Sequence, residues 1–227
     1  MSREKNNAAT AVVEKEYVID AALNEAFPYI SPVHEYFWIP GWKCRFVHFP
    51  NGFIEKGSVF EEYSSSVVFG SGILARSRFT VTEFDPVLHN VYFRIETKVS
   101  ASVYKVEYRE HSPGKTAVRL ELSYTPLNRK GERIAARYGD SRIAFMLEYL
   151  SACISFFWEH GRKMDGEEVL AFLRKSTLIS SGDKLRLALN RFLRLFIPDR
   201  NRKKVLKGLP IIKIGRIADA AKWGSTV

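Results

Sequence analysis

The sequence predicts an α+β fold in which a meander of antiparallel strands curves around one long C-terminal helix. Three observations carry this. Residues 143–158, IAFMLEYLSACISFFW, have a helical period but two apolar stripes. Ile143, Met146, Leu147, Leu150, Cys153, Ile154 and Phe157 form one, and Phe145, Tyr149, Ala152 and Phe156 the other. Such a helix must be covered on most of its circumference. Between residues 43 and 124, short Val-, Phe- and Tyr-rich runs alternate with turn signals at the spacing of successive hairpins. Within those runs, residues of one parity are apolar and those of the other are charged, so the sheet has an inner and an outer face.

The elements follow in order. Residues 11–19 read as a strand after a frayed 1–10. Asp20 fits an N-cap for a short helix over 21–29, with Glu25 in its opening turn. Pro28 and Pro32 keep the helices short, and a second one over 33–38 ends at Pro40-Gly41. Strands are expected over 43–49, 53–63, 67–69, 74–84, 90–98, 102–110 and 116–124. Turns at Pro50-Asn51-Gly52, Gly70-Ser71-Gly72, Asp85-Pro86 and Ser112-Pro113-Gly114 separate them. Asn128 is placed to cap the long helix, Gly139 to kink it, and Asp140 to restart it.

Strand parity names the inner residues. Cys44, Phe46 and His48 oppose Lys43 and Arg45. Phe79 and Val81 oppose Arg78 and Thr80, and Val91, Phe93 and Ile95 oppose Arg94 and Glu96. Tyr104, Val106 and Tyr108 alternate with Lys105, Glu107 and Arg109, while Val118, Leu120, Leu122 and Tyr124 alternate with Arg119, Glu121 and Ser123.

This order resembles the helix-grip superfamily of START-related and birch-pollen-allergen-like domains. The branch it is most similar to is the polyketide cyclase/dehydrase and lipid-transport family. The segments that carry the resemblance are VVEKEYVIDAALNEAFPYI, EYFWIPGW, FTVTEFDPVLHNVYFRI and the C-terminal helix, over about residues 11–160. The resemblance implies a hydrophobic-ligand cavity between sheet and helix. Its candidate lining is Phe46, His48, Phe79, Phe93, Tyr104 and Tyr108, with Leu120, Leu122, Tyr124, Met146 and Leu150. A solid core of the same side chains is the alternative.

Catalytic signals are sparse. The five histidines, His34, His48, His89, His111 and His160, lack metal-ligand spacing, and no cofactor motif occurs, so neither metal nor cofactor is expected. The inward phenols of Tyr104, Tyr108 and Tyr124 need partners and can orient a ligand. A cyclase or dehydratase using inward Tyr or His groups is the competing class. Arg45, Arg76 and Arg78 fall on the charged face and read as solvated. Trp38 and Trp42 read either as part of a lid or as packing of the short helices. Cys44 and Cys153 read as buried reduced thiols.

Charge divides the chain. Net charge is +10, yet residues 1–160 hold 19 basic and 19 acidic residues, and residues 161–227 hold 16 and 6. The expected organisation is a domain over 11–163 and a basic helical extension over 164–227. The extension opens with a short helix over 167–175 and a Ser-Ser-Gly break at 180–182. Residues 184–197, KLRLALNRFLRLFI, then segregate Leu185, Ala188, Leu189, Phe192, Leu193, Leu195 and Phe196 from Lys184, Arg186, Asn190, Arg191 and Arg194, with Leu187 the exception. Arg200, Arg202, Lys203, Lys204 and Lys207 follow Pro198. An anionic membrane surface and the domain's own Phe145/Tyr149/Phe156 stripe are competing partners for this helix. Nucleic acid is not expected, because no binding motif accompanies the charge. No apolar run reaches membrane-span length, and residues 1–10 do not read as a signal peptide, so the expectation is a cytoplasmic protein, peripheral at most.

Overall fold

Seven antiparallel strands form one sheet in the order β1-β7-β6-β5-β4-β3-β2. They are β1 (Ala11–Ile19), β2 (Cys44–His48), β3 (Val59–Ser64), β4 (Ala75–Asp85), β5 (Asn90–Glu96), β6 (Ser100–Ser112) and β7 (Lys115–Pro126). The computed structural model describes residues 11–49, 54–64, 75–182 and 184–185. The expected strand at 67–69 and turn at Gly70-Ser71-Gly72 lie outside the described residues. From β2 to β7 the sheet is a meander, and β1 returns to pair with β7, Ala11 opposite Tyr124 and Ile19 opposite Thr116.

Three very short helical segments bridge β1 and β2: α1 (Leu23–Ala26), a 3-10 turn (Phe27–Ile30) and α2 (Glu35–Trp38). Asp20 does not cap the first of them. The register of β1 on β7 brings it beside Lys115, with which it pairs, and Ala22 occupies the N-cap. Trp38 and Trp42 are buried and pin this region, donating through Nε1 to the carbonyls of Tyr29 and Pro32 at 3.1 Å each. The residues before Val59 turn rather than extend. Gly57, at φ 89°, donates its N–H to Val81 O and lets the chain reverse.

The long helix α3 (Arg129–His160) starts where expected: Asn128 Oδ1 accepts from the backbone N–H of Lys130 and Gly131 at 3.0 and 3.1 Å. Gly161, at φ 67°, ends it in the left-handed conformation. The helix runs on through Gly139 and Asp140, so Asp140 opens no new helix. A mid-helix glycine costs about 1 kcal/mol relative to Ala, and packing along the helix outweighs that.

Both apolar stripes of α3 are covered. Ile143, Leu147, Cys153, Ile154 and Phe157 are buried in the core against the sheet. On the other stripe, Phe145 and Tyr149 meet Phe172 at ring-centroid distances of 6.0 and 5.6 Å. Phe172 belongs to α4 (Gly166–Lys175), which Asp165 and Glu168 open with a reciprocal capping box. Met164, Val169, Leu173 and Ile179 join the same core cluster, so the packed unit extends to about residue 179.

One close approach gives a test. A Cβ at Gly131 would lie 2.2 Å from Val99 O, a backbone atom that cannot rotate away. Gly131→Ala is therefore expected to destabilise the protein by roughly 1–3 kcal/mol, as overpacking does. Urea denaturation measures it, and an unchanged midpoint would contradict the close seating of α3 on the β5–β6 turn.

Candidate ligand site

The inner face of the sheet is aromatic because Phe and Tyr recur at inner parity, at Phe60, Phe79, Phe93, Tyr104 and Tyr108. Phe60 stacks on Phe79 at 4.9 Å, Phe79 meets Phe93 edge-on at 6.3 Å, and Phe93 stacks on Tyr104 at 5.9 Å. Tyr17 and Tyr108 flank Val118 from the strands on either side of it, and Phe27 meets Tyr108 edge-on at 5.6 Å. Leu120 and Leu122 are fully buried beneath α3. Met146 and Leu150 of α3 pack against this core but keep accessible surface. Tyr124 is buried at the far end, where the positive charge of Arg142 acts on its phenol.

One expected member falls elsewhere, and Phe46 sits at the margin of the core. The β2–β3 pairing slips after Phe46, which opposes Phe60, so that His48 opposes Val59. That bulge reverses the parity: His48 leaves the inner face and is exposed. Phe46 is half-buried and stacks on Phe49 at 4.6 Å, near the strand's end. Lys184 donates to Arg174 O at 3.2 Å, whereas Arg186, Leu189, Arg191, Phe192, Arg194 and Phe196 lie outside the described residues.

The interior also holds acids that strand parity alone did not single out. Glu35 opens α2, whose position is fixed by Tyr36: its hydroxyl accepts from Cys44 N and donates to Cys44 O, at 3.3 and 3.4 Å. Glu35 lies deep, and its Oε2 is buried with no hydrogen-bond partner. Burial pushes its carboxyl well above the usual 4.5, and the nearby Glu62 pushes it further. Glu62 has inner parity on β3, opposite the buried Cys44 and Ser77. The same acids act on the phenols. Burial raises Tyr104, with Tyr108, Glu35 and Glu62 adding to it, and burial raises Tyr108, with Glu35 adding to it. Tyr17 is raised by burial and by Tyr108, Tyr104 and Cys153. Glu35, Glu62, Tyr17, Tyr104, Tyr108 and Cys153 therefore influence one another electrostatically in the interior. A lone acid within the apolar stretch VHEYFWIPGW was the available sequence signal for Glu35.

Beside it, His34 packs against Tyr29 at 5.2 Å, and burial lowers its pKa to about 4. On the outer face, Glu61 accepts from Arg45 at 2.6 Å and lies 3.5 Å from Arg76, while Arg78 is exposed. Cys44 and Cys153 are buried free thiols. Among the described residues no three His, Cys, Asp or Glu side chains are grouped to hold a metal ion, and no helix is long and apolar enough to cross a membrane.

No protein-family model matches the chain, and no curated protein matches it in sequence. Solved structures do share its architecture. Major latex-like protein 151 of Panax ginseng superposes with a TM-score of 0.52 at 14% identity, covering 66% of this chain and 97% of that one. A norcoclaurine synthase point mutant of Thalictrum flavum, in complex with a transition-state analogue, gives 0.50 at 9%, covering 67% and 96%. A START superfamily protein from Mycobacterium smegmatis gives 0.48 at 14%, covering 66% and 97%. At such identities the likeness establishes the fold alone, a helix-grip α+β arrangement of an antiparallel sheet around a long helix.

The interior has a pH signature. Glu35 binds its proton more tightly folded than unfolded, so its contribution is most favourable below about pH 4.5 and is lost as pH rises through the folded pKa. Glu35→Gln is expected to stabilise the protein at neutral pH, and the gain should shrink toward zero near pH 4. His34 works the opposite way, its contribution being full above pH 6.5 and lost toward pH 4. Thermal melts of wild type and variant across that range test the difference. A gain independent of pH would place the Glu35 carboxyl in water.

Proposed function

We propose that the protein binds a hydrophobic small molecule or lipid between the inner face of the sheet and α3. One observation carries this reading. Tyr17 and Glu35 are surrounded by protein, yet each retains accessible surface. Met146 and Leu150 do too, on the stripe of α3 that also carries Cys153, a neighbour of Tyr17. Side chains in a close-packed core keep almost no such surface. We take the deep groups that keep it as the lining of a ligand space, with Phe60, Phe79, Phe93 and Tyr104 as its proposed walls. The shared helix-grip fold is compatible with this use.

A second reading is acid–base catalysis on a polyketide-like substrate, as a cyclase or dehydratase. Glu35 is the observation that favours it, since a buried carboxyl with a raised pKa is a usual general acid. The phenols of Tyr104 and Tyr108 are raised so far that they stay protonated at neutral pH. They donate hydrogen bonds and do not act as bases. That favours holding a ligand over transforming it.

Nile red, a neutral solvatochromic dye, is expected to bind with a blue-shifted emission. Leu150→Trp should weaken it by roughly tenfold or more, each tenfold being about 1.4 kcal/mol. Unchanged dye binding in a folded Leu150→Trp variant would put the ligand elsewhere.

The basic segment beyond residue 183 is proposed to rest on an anionic membrane surface. Its alternating basic and apolar residues support this, and each basic residue near such a surface contributes about 1 kcal/mol. Its intramolecular alternative needs the second stripe of α3, where Phe172 already meets Phe145 and Tyr149. The full chain is expected to bind vesicles containing phosphatidylserine, less so as salt rises, because charges are screened within about 10 Å at 0.1 M. Changing Arg186, Arg191 and Arg194 together to Gln should weaken binding and leave stability within about 0.5 kcal/mol. No vesicle binding by the full chain, or unweakened binding by the triple variant, would remove the proposal.

A further inference from the structure

Phenols in this protein ordinarily find partners. Tyr124 donates to Gly131 O at 3.5 Å, Tyr92 to Glu107 at 3.0 Å and Tyr36 to Cys44 O at 3.4 Å. Three inner phenols break that pattern. The hydroxyls of Tyr17, Tyr104 and Tyr108 make no hydrogen bond to any described residue, although Tyr17 is half-buried and the other two are buried.

Strand register puts two of the three in one row. Tyr17 of β1 and Tyr108 of β6 each stand directly opposite Val118 of β7. All three positions have inner parity, so the two rings rise on the same side of the sheet. Their backbones are two strand spacings apart, about 10 Å, with only the short Val118 between them in the row. Among the described residues, α3 is seated on β1 and β7 and makes no comparable approach to β4, β5 or β6. The row therefore runs from beneath the helix to the line where helix and sheet part. Tyr104 lies in a different row, opposite Leu122, with its ring stacked on Phe93.

We propose that Tyr17 and Tyr108 are the polar anchor of the ligand, two O–H donors that receive a carbonyl oxygen such as that of a ketone or an ester. The proposal rests on the ligand-binding reading above. Buried donors are normally satisfied, and a pair left open on the wall of a binding site points to an acceptor that arrives with the ligand. Burial raises both phenols, so both keep their hydrogens at neutral pH. A carbonyl oxygen has two lone pairs and no hydrogen, so it takes two donors and brings none of its own. A ligand hydroxyl would bring a further hydrogen to be placed.

The test is the carbonyl stretch of methyl nonyl ketone, isotope-labelled at its carbonyl carbon and bound to the full-length protein. Difference infrared spectra are expected to show the band at lower frequency than in hexane, because hydrogen bonds weaken the C=O bond. Tyr17→Phe and Tyr108→Phe should each return it part of the way, and the double variant all of the way. Displacement of diphenylhexatriene, a hydrocarbon dye, should show the ketone binding roughly three- to tenfold more weakly to each single variant. Undecane, which has no oxygen, should bind wild type and variants alike. Tyr92→Phe, which removes a phenol from the outer face, should change neither frequency nor affinity. A wild-type band at the hexane position overturns the proposal, as does a shift that survives in the double variant. The wild-type band and the single variants decide the matter even where the double variant does not fold. Bound dye that the ketone does not displace overturns the proposal and leaves the pocket. Failure of the wild type to bind either diphenylhexatriene or Nile red removes the pocket and the proposal together.

Discussion

Apolar residues on two faces of α3 require two separate covers, and the rest of the chain is arranged to supply them. The curved sheet covers the stripe of Ile143, Leu147, Ile154 and Phe157. The chain then reverses at Gly161 and sends α4 back, so that Phe172 reaches Phe145 and Tyr149. Without the second cover, large aromatic area would face water at about 25 cal/mol per Å². The segment after the long helix is thus partly structural, whatever its remaining residues do.

The pleat sorts the chemistry as strictly as it sorts the packing. Outside, carboxylates and cationic side chains neutralise one another: Arg119 meets Glu14 at 3.0 Å, Arg109 meets Glu16 at 2.6 Å and Lys105 meets Glu121 at 2.8 Å. Exposed pairs of this kind contribute only about 0–1 kcal/mol each. Inside there are few polar groups, and each matters more, because low dielectric magnifies both a made and an unmade interaction. The buried Glu35 carboxyl runs against stability, and stability traded away at one place in an otherwise consistent fold is the usual mark of a functional site.

Most of the architecture was legible because it rests on local periodicity. The meander, the inner parity of β4 to β7 and the Asn128 cap follow from alternation, turn residues and capping chemistry. The failures share a cause, which is that pairing between distant segments overrode a local signal. Asp20 is a good cap by type, but β7 supplies Lys115. Asp140 is a helix starter by type, but the long helix runs through it. His48 has inner parity by counting, but one bulge two residues earlier reverses the count. Glu35 escaped strand parity because a four-residue helix announces no face, and its one signal was a lone acid within the apolar stretch VHEYFWIPGW.

That bulge has an effect beyond His48. Among the described residues the sheet does not close on itself, and β1 and β2 are its two edges. An open edge offers unpaired N–H and C=O groups to any strand that approaches, including the same strand of another copy. β2 has five residues, its regular pairing slips between Phe46 and His48, and Val47 and His48 both face solvent there. A short, twisted edge with an irregular hydrogen-bonding pattern is a poor template for adding another strand. The irregularity that withdraws a histidine from the interior therefore also discourages edge-to-edge growth into larger aggregates.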